Sequence, residues 1–227
     1  ALECGPSDPI NEDATKFMYA SGQAPTSLHN CCSGKHTGFL TLAKYLQDDP
    51  AFAVPGYLDP AHGVQVQVRD AQALMTGVDL HDQVPVIDGC GIPVYQFPLV
   101  SLAQAMARLV TPEAVPAVFA AAAARVTAAL PGRSFLVSGT GRADYVLNEA
   151  ATEPLILKGG AEGVSMGALP ERGIGFALKC EDGNGRGADE AVAAVLHQLG
   201  VMPERVSMNT PLRNRAGTEV GSVTVVL

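Results

Sequence analysis

Hydrophobic residues in the first 130 positions recur at the spacing of a helix. Ile10, Phe17 and Met18 fall on one face of a predicted first helix, whose start Asn11 or Asp8 could cap. Further helices are predicted at 35–46, 66–78, 99–110 and 112–130. This first part of the chain is therefore predicted to be mainly helical.

After Pro131 and Gly132 the pattern changes to short apolar runs separated by glycine-rich turns. Runs of this kind are typical of antiparallel strands joined by tight turns. The predicted strands are 135–139, 155–158, 164–169, 174–179 and 222–227. An amphipathic helix is predicted at 188–199, where Gly200 ends it.

These patterns predict an α/β protein of the α+β type. A mainly helical part at 1–130 precedes a β-sheet part at 131–227, which carries a helix near its end. We expect the two parts to form one structural unit.

Composition narrows the classes of function. The chain has 227 residues, with 15 Lys and Arg and 23 Asp and Glu, so its formal charge is −8. It has no basic run for a nucleic acid and no apolar run of the roughly 18 residues that a membrane span needs. An odd number of cysteines, five, argues against a disulfide framework and for a reducing, cytoplasmic location.

The first candidate for chemistry is the polar cluster from His29 to His36. It contains two histidines, two cysteines, a serine and a lysine just before a predicted helix. Because a helix N-terminus stabilises a thiolate, a cysteine here could be a metal ligand or a nucleophile. The alternative is a loop whose helix is capped by Ser33 and whose cysteines have no function.

The second candidate is the segment from Val86 to Tyr95. Its apolar start leads Asp88 and Cys90 into a turn with Gly89 and Gly91, which permit close approach of the backbone to a ligand. Cysteines from two distant segments are typical of one binding site, although a plain turn with a buried cysteine is the alternative. The spacing of a zinc finger does not occur.

The third candidate is Lys158, which ends a predicted strand and is followed by Gly159 and Gly160. This arrangement is similar to the Lys-Thr-Gly strand of the penicillin-interacting serine hydrolases. Those enzymes also need a Ser-x-x-Lys helix start, which this sequence lacks. The alternative is a solvated lysine at the end of a strand.

Four strings together resemble a known family, the thermolabile, rhizobial-type bacterial L-asparaginases (asparaginase II). They are HNCCSGKHTGFL from position 29, DGCGIPVYQFPL from 88, LKGGAEGV from 157 and GIGFALKCEDGNGRGADEAV from 173. The close of the chain from Leu212 to Gly221 is also similar to that family. The resemblance runs in order over nearly the whole chain.

The resemblance implies the fold of the serine β-lactamases and glutaminases, and hydrolysis of L-asparagine to L-aspartate and ammonia. It implies a zinc ion held by Cys32, Lys35 and Cys90. The family tends to form homodimers.

The resemblance also implies roles for four further residues. Asp88 would bind the α-amino group of the substrate, with His36 and Gly89 in the same pocket. Lys158 would assist a nucleophilic serine as an uncharged amine.

In one respect the sequence differs from the family. The Ser-x-x-Lys pair and a second serine of that family lie N-terminal to residue 1, so we expect the acylating serine and the first strands to be missing from this chain. Cys31 stands where a small polar residue is more typical.

Three alternatives stay open on the sequence alone. Cys32 could be the nucleophile of an amidase, with His36 as its base, because positions four apart meet on one helix face. The chain could instead be a non-catalytic fragment that binds zinc and an amino acid. In a purely structural interpretation, all the cysteines fill the core.

Overall fold

The computed structural model describes residues 2–203, 206 and 209–226. The chain forms two compact units, Ala1–Phe97 and Pro98–Leu227. This division lies before the change of composition at 130/131 because the helix that follows Pro98 packs on the strands of the second unit.

The first unit is mostly helical, as predicted. Its helices are α1 (Glu12–Ala20), α2 (Ser33–Tyr45) and α3 (Gly63–Thr76), and a short hairpin follows with β1 (Val86–Ile87) and β2 (Pro93–Val94). The core of this unit joins α2, α3, the loop between them and the hairpin, with the following buried side chains: Phe39, Ala43, Phe52, Tyr57, Val64 and Ile92.

Local capping explains where two of these helices begin. The side chain of Asn11 accepts the N–H of Ala14 at the start of α1, so Asn11 rather than Asp8 is the cap. At α3 the side chain of His62 accepts the N–H of Val64. The predicted inward face of α1 is largely wrong, because Phe17 is exposed and only Met18 is buried.

The second unit combines helices with antiparallel strands. The helices are α4 (Leu99–Val110), α5 (Ala117–Ala129), α6 (Ser134–Ser138), α7 (Ala143–Ala150) and α8 (Gly185–Gln198). The strands are β3 (Ile156–Gly159), β4 (Val164–Leu169), β5 (Ile174–Lys179), β6 (Asn209–Arg213) and β7 (Glu219–Thr224). The α+β class predicted from the sequence is therefore confirmed.

Strands β3, β4 and β5 form one antiparallel sheet in chain order, and β6 pairs with β7 separately. One face of the sheet packs against α7 and α8 through Leu147, Leu157 and Leu196, and the other buries Ile156 and Met106. Ile156 and Lys158 lie on the same face, because alternate residues of a strand point to the same side.

Three predicted elements need correction, and two elements of this unit were missed. The run 135–139 is helix α6, since a short apolar run fits a strand or a helix equally well. The helix predicted at 112–130 begins only at Ala117, after Pro116. Helix α7 and strand β6 were not predicted, and the last strand is Glu219–Thr224. Position 227 lies outside the described residues.

No described helix is both long enough and apolar enough to cross a membrane.

Among the described glycines of the second unit, Gly175 of β5 has the least space for a side chain. A Cβ atom there would lie 2.1 Å from the carbonyl oxygen of Ala103 and 2.3 Å from the amide nitrogen of Ala107, both in α4. These contacts are shorter than any van der Waals contact. The backbone of α4 therefore rests directly on the sheet at this glycine.

We predict that Gly175→Ala lowers the free energy of unfolding by about 1–3 kcal/mol, or more, because α4 must move away from β5. Urea titration followed by circular dichroism measures the change. Gly185→Ala is the matched control, since a Cβ there meets no described atom within 4 Å. Equal stability of the two variants would contradict the close packing.

Candidate functional site

The loop before α2 is fixed by the buried side chain of Asn30. Its Nδ2 atom donates to the carbonyl oxygens of Cys4 (2.9 Å) and Gly5 (3.2 Å), and its Oδ1 atom accepts the N–H of Cys32 (2.8 Å). Cys32 then occupies the N-cap position of α2, without a side-chain cap bond. The predicted cap residue, Ser33, is instead the first residue of the helix.

The hairpin turn between β1 and β2 is closed by the side chain of Asp88. Its Oδ1 atom accepts the N–H groups of Cys90 (2.8 Å) and Ile92 (3.1 Å). The turn also needs Gly91, whose φ is +86°. One oxygen of Asp88 is thus committed to the turn.

The other oxygen of Asp88 faces α2. Its Oδ2 atom lies 3.4 Å from Nζ of Lys35, and both side chains are half-buried. Burial acts to raise the pKa of Asp88, but the N–H donors of Ile92 and Cys90 and the charge of Lys35 outweigh it, so the pKa lies below its ordinary value. Asp88 is therefore an ionised carboxylate at neutral pH.

The thiols of Cys32 and Cys90 come together beside this ion pair. Burial and a hydrogen bond with the side chain of Cys32 raise the pKa of Cys90 to about 12, while the charge of Lys35 acts in the opposite direction. The sulfur of Cys32 also lies 3.7 Å from that of the exposed Cys31. Cys32, Lys35 and Cys90 are therefore neighbours in the folded unit.

This donor set fits a zinc ion in its chemistry. Two thiols and an amine are ligands that zinc accepts, provided that the thiols and the ammonium lose their protons on binding. Within the described ranges no three side chains among His, Cys, Asp and Glu are grouped to hold a metal. The set therefore depends on Lys35 as its third ligand.

His36 is completely buried in α2, and its ring is hydrogen-bonded to Tyr57. Nδ1 of His36 lies 2.8 Å from the hydroxyl oxygen of Tyr57, which itself accepts the N–H of Glu3 at 2.8 Å. The hydroxyl of Tyr57 and Nδ1 of His36 are therefore each other's hydrogen-bond partner in the core of the unit. Burial first, and then the charge of Lys35, lowers the pKa of His36, which keeps the ring neutral.

Among the described residues, the side chains of Cys32 and His36 share no hydrogen bond that would support the alternative pairing of a nucleophile with its base. Nδ1 of His36 bonds to Tyr57, and Nε2 has no hydrogen-bond partner among the described residues. The contact between the two positions is the helical bond from the N–H of His36 to the carbonyl oxygen of Cys32.

Gly89 is exposed at the tip of the turn. A Cβ atom at this position would meet none of the described atoms within 4 Å, and its φ is not positive. Neither steric crowding by described atoms nor a positive φ requires a glycine at this position. The predicted role of Gly89, close approach to a ligand, stays a prediction.

Lys158 belongs to the second unit. It is exposed near the end of β3, where it pairs with Met166, and its ammonium group donates to the carbonyl oxygen of Gly159. The six other predicted site residues all lie in the first unit, around α2 and the hairpin.

Sequence reasoning missed Asn30 and Tyr57 as parts of this site. Tyr57 lies in a proline-rich loop, 21 positions from His36, and no local pattern indicates their contact. Asn30 lay within the predicted cluster, but its hydrogen bonds reach back 26 positions to Cys4.

Comparison with protein families identifies the class of protein that carries this site. A family model described as L-asparaginase II matches residues 1–225. The chain therefore belongs to the L-asparaginase II family, which makes it an amidohydrolase of the asparaginase type with an amino acid as its substrate. Comparison with curated proteins finds no match.

We predict that Tyr57→Phe lowers the free energy of unfolding by about 1–3 kcal/mol, because it leaves the N–H of Glu3 and Nδ1 of His36 without a partner in a buried place. Chemical denaturation measures the loss. Tyr45→Phe is the control, since Tyr45 is exposed. A loss no larger than that of the control would contradict the network.

Proposed function

We propose that the function is that of an L-asparaginase, which hydrolyses L-asparagine to L-aspartate and ammonia through an acyl-enzyme. The observation that carries the proposal is the Asp88 carboxylate, ionised, half-buried and paired with Lys35 next to two thiols. Membership of the family supplies the class of reaction.

In this proposal Asp88 binds the α-ammonium group of asparagine. Its Oδ1 atom is held by the turn, so the direction of Oδ2 is fixed before the substrate arrives. Gly89 leaves space for the substrate at the tip of the turn, and His36 is proposed to lie in the same pocket. Preorganised groups of this kind lower the cost of binding.

Zinc held by Cys32, Lys35 and Cys90 would orient the pocket, and its two positive charges would be balanced by the two thiolates. Lys35 is then a neutral amine, and Oδ2 of Asp88, which now pairs with Lys35, is available to the substrate. The two thiols come from the start of α2 and the hairpin turn, so the same residues would also hold these segments together.

The chemical step follows the chemistry of activated serines. The serine oxygen attacks the side-chain amide carbon, the C–N bond breaks, and ammonia leaves with the proton that the serine gave up. Water then hydrolyses the ester and releases aspartate. Lys158 is proposed to take and return the serine proton as an uncharged amine.

We predict that Lys158→Ala lowers kcat for asparagine by about 10²–10⁴-fold, the usual range for the loss of a general acid–base group. Initial rates of ammonia release from the full protein measure the effect. Lys179→Ala is a matched control, because Lys179 ends strand β5 and also donates to the carbonyl oxygen of the residue that follows it.

Two results would overturn this assignment. Equal activity of the Lys158 and Lys179 variants would remove Lys158 from the mechanism. Calorimetric binding of asparagine without hydrolysis would favour the amino-acid-binding alternative instead.

We predict that Cys32→Ser and Cys90→Ser each remove most of the zinc that remains bound after dialysis, with asparaginase activity falling in proportion. Metal analysis per chain measures the zinc. Cys180→Ser is the control, since Cys180 is a half-buried free thiol of the second unit. If Cys32→Ser abolished covalent labelling by a substrate analogue while zinc stayed bound, Cys32 would be the nucleophile.

A homodimer and a cytoplasmic location complete the proposal. The first rests on the resemblance to the family. The second rests on the cysteines, which are all free thiols in the structure.

A further inference from the structure

Strand β3, which carries Lys158, is at the edge of its three-stranded sheet. Lys158 itself pairs with Met166 of β4. In an antiparallel ladder the backbone groups of the residues on either side, Leu157 and Gly159, then point to the opposite, outer edge. An outer edge leaves N–H and C=O groups that need other partners.

Helix α7 supplies partners for these outer groups. Oδ2 of Asp144 accepts the N–H of Gly159 at 2.7 Å, and Nδ2 of Asn148 lies 3.4 Å from the carbonyl oxygen of Leu157. Asp144 and Asn148 are four positions apart, so both face β3 from one side of the helix, and Nδ2 of Asn148 also donates to the carbonyl oxygen of Asp144 at 2.7 Å. The two side chains therefore bind the backbone on both sides of Lys158.

Asp144 has the stronger of the two contacts. Asp144 is only 5% exposed, so its hydrogen bond to the N–H of Gly159 is shielded from water. A hydrogen bond from an N–H group to a charged carboxylate is shorter and about twice as strong as one between neutral groups. The end of β3 is thus held by a buried side chain.

The contact also accounts for the glycine after Lys158. A Cβ atom at Gly159 would lie 3.0 Å from Oδ1 and 3.2 Å from Oδ2 of Asp144. A side chain at this position would push the carboxylate away from the backbone. The close contact with Asp144 therefore explains why the residue after Lys158 is a glycine.

We propose that Asp144 is a positioning residue for Lys158, and this inference rests on the proposed function of Lys158. By fixing the N–H of Gly159, Asp144 fixes the backbone from which the exposed lysine side chain projects. Misplacement of a reacting group by about 1 Å is enough to cost about 100-fold in rate. Asp144 acts through Lys158 and needs no contact with the substrate.

The test compares Asp144→Ala with Asp144→Asn in the full protein. Asp144→Ala removes the acceptor, and we expect kcat for asparagine to fall by about 10–100-fold while KM changes little. Asp144→Asn keeps a carbonyl oxygen that can accept the N–H of Gly159, so we expect it to restore most of kcat. Exchange of the Gly159 amide hydrogen should be slow in the wild type and in Asp144→Asn, and faster in Asp144→Ala.

Two further variants keep the test decisive. Ser134→Ala is the control, because it removes a different polar contact of α7, the hydrogen bond from Ser134 to Glu149. Gly159→Ala displaces the carboxylate without removing it, and we expect a loss of kcat from it even if Asp144→Ala does not fold.

The outcomes separate this inference from the function on which it rests. Loss of thermal stability with unchanged kcat, in Asp144→Ala or in Gly159→Ala, would overturn the positioning role and leave the catalytic role of Lys158 intact. Unchanged kcat in Lys158→Ala would instead overturn the proposed function of that lysine, and this inference with it.

Discussion

The two oxygens of Asp88 perform different tasks, and the candidate site of the first unit depends on both. Oδ1 closes the hairpin turn by accepting two backbone N–H groups, and Oδ2 pairs with Lys35 of helix α2. One side chain thus connects the turn that carries Cys90 with the helix that begins at Cys32. The N–H donors and the lysine charge keep the carboxylate ionised despite its burial.

Backbone polar groups impose a similar constraint in the second unit. The edge of β3 beside Lys158 has no neighbouring strand in the described sheet, and helix α7 supplies hydrogen-bonding side chains in its place. On another strand, Gly175 lets the backbone of α4 lie directly on the sheet. In this unit, α7 therefore contacts β3 through polar side chains, whereas α4 contacts β5 directly through its backbone because Gly175 has no side chain.

Much of the fold could be predicted, because periodicity is local. The strands at 164–169 and 174–179 are where alternation and turn glycines placed them, and α8 follows its amphipathic pattern. Helix α6 was predicted as a strand because its short apolar run is ambiguous without neighbours. Strand β6 was missed although its pairing with β7 is local, since only residues 214–218 separate the two strands.

The sequence by itself determined the family, the α+β class and the residue types of the candidate site. Motifs and periodicity depend only on residues that are close together in the chain. Only the tertiary structure decided which of those residues meet. It brought Cys32, Lys35, Asp88 and Cys90 together, and it placed the hydroxyl of Tyr57 against Nδ1 of His36. Such contacts join positions 20 to 60 apart, so they follow from packing and hydrogen bonding in three dimensions, which sequence spacing does not record.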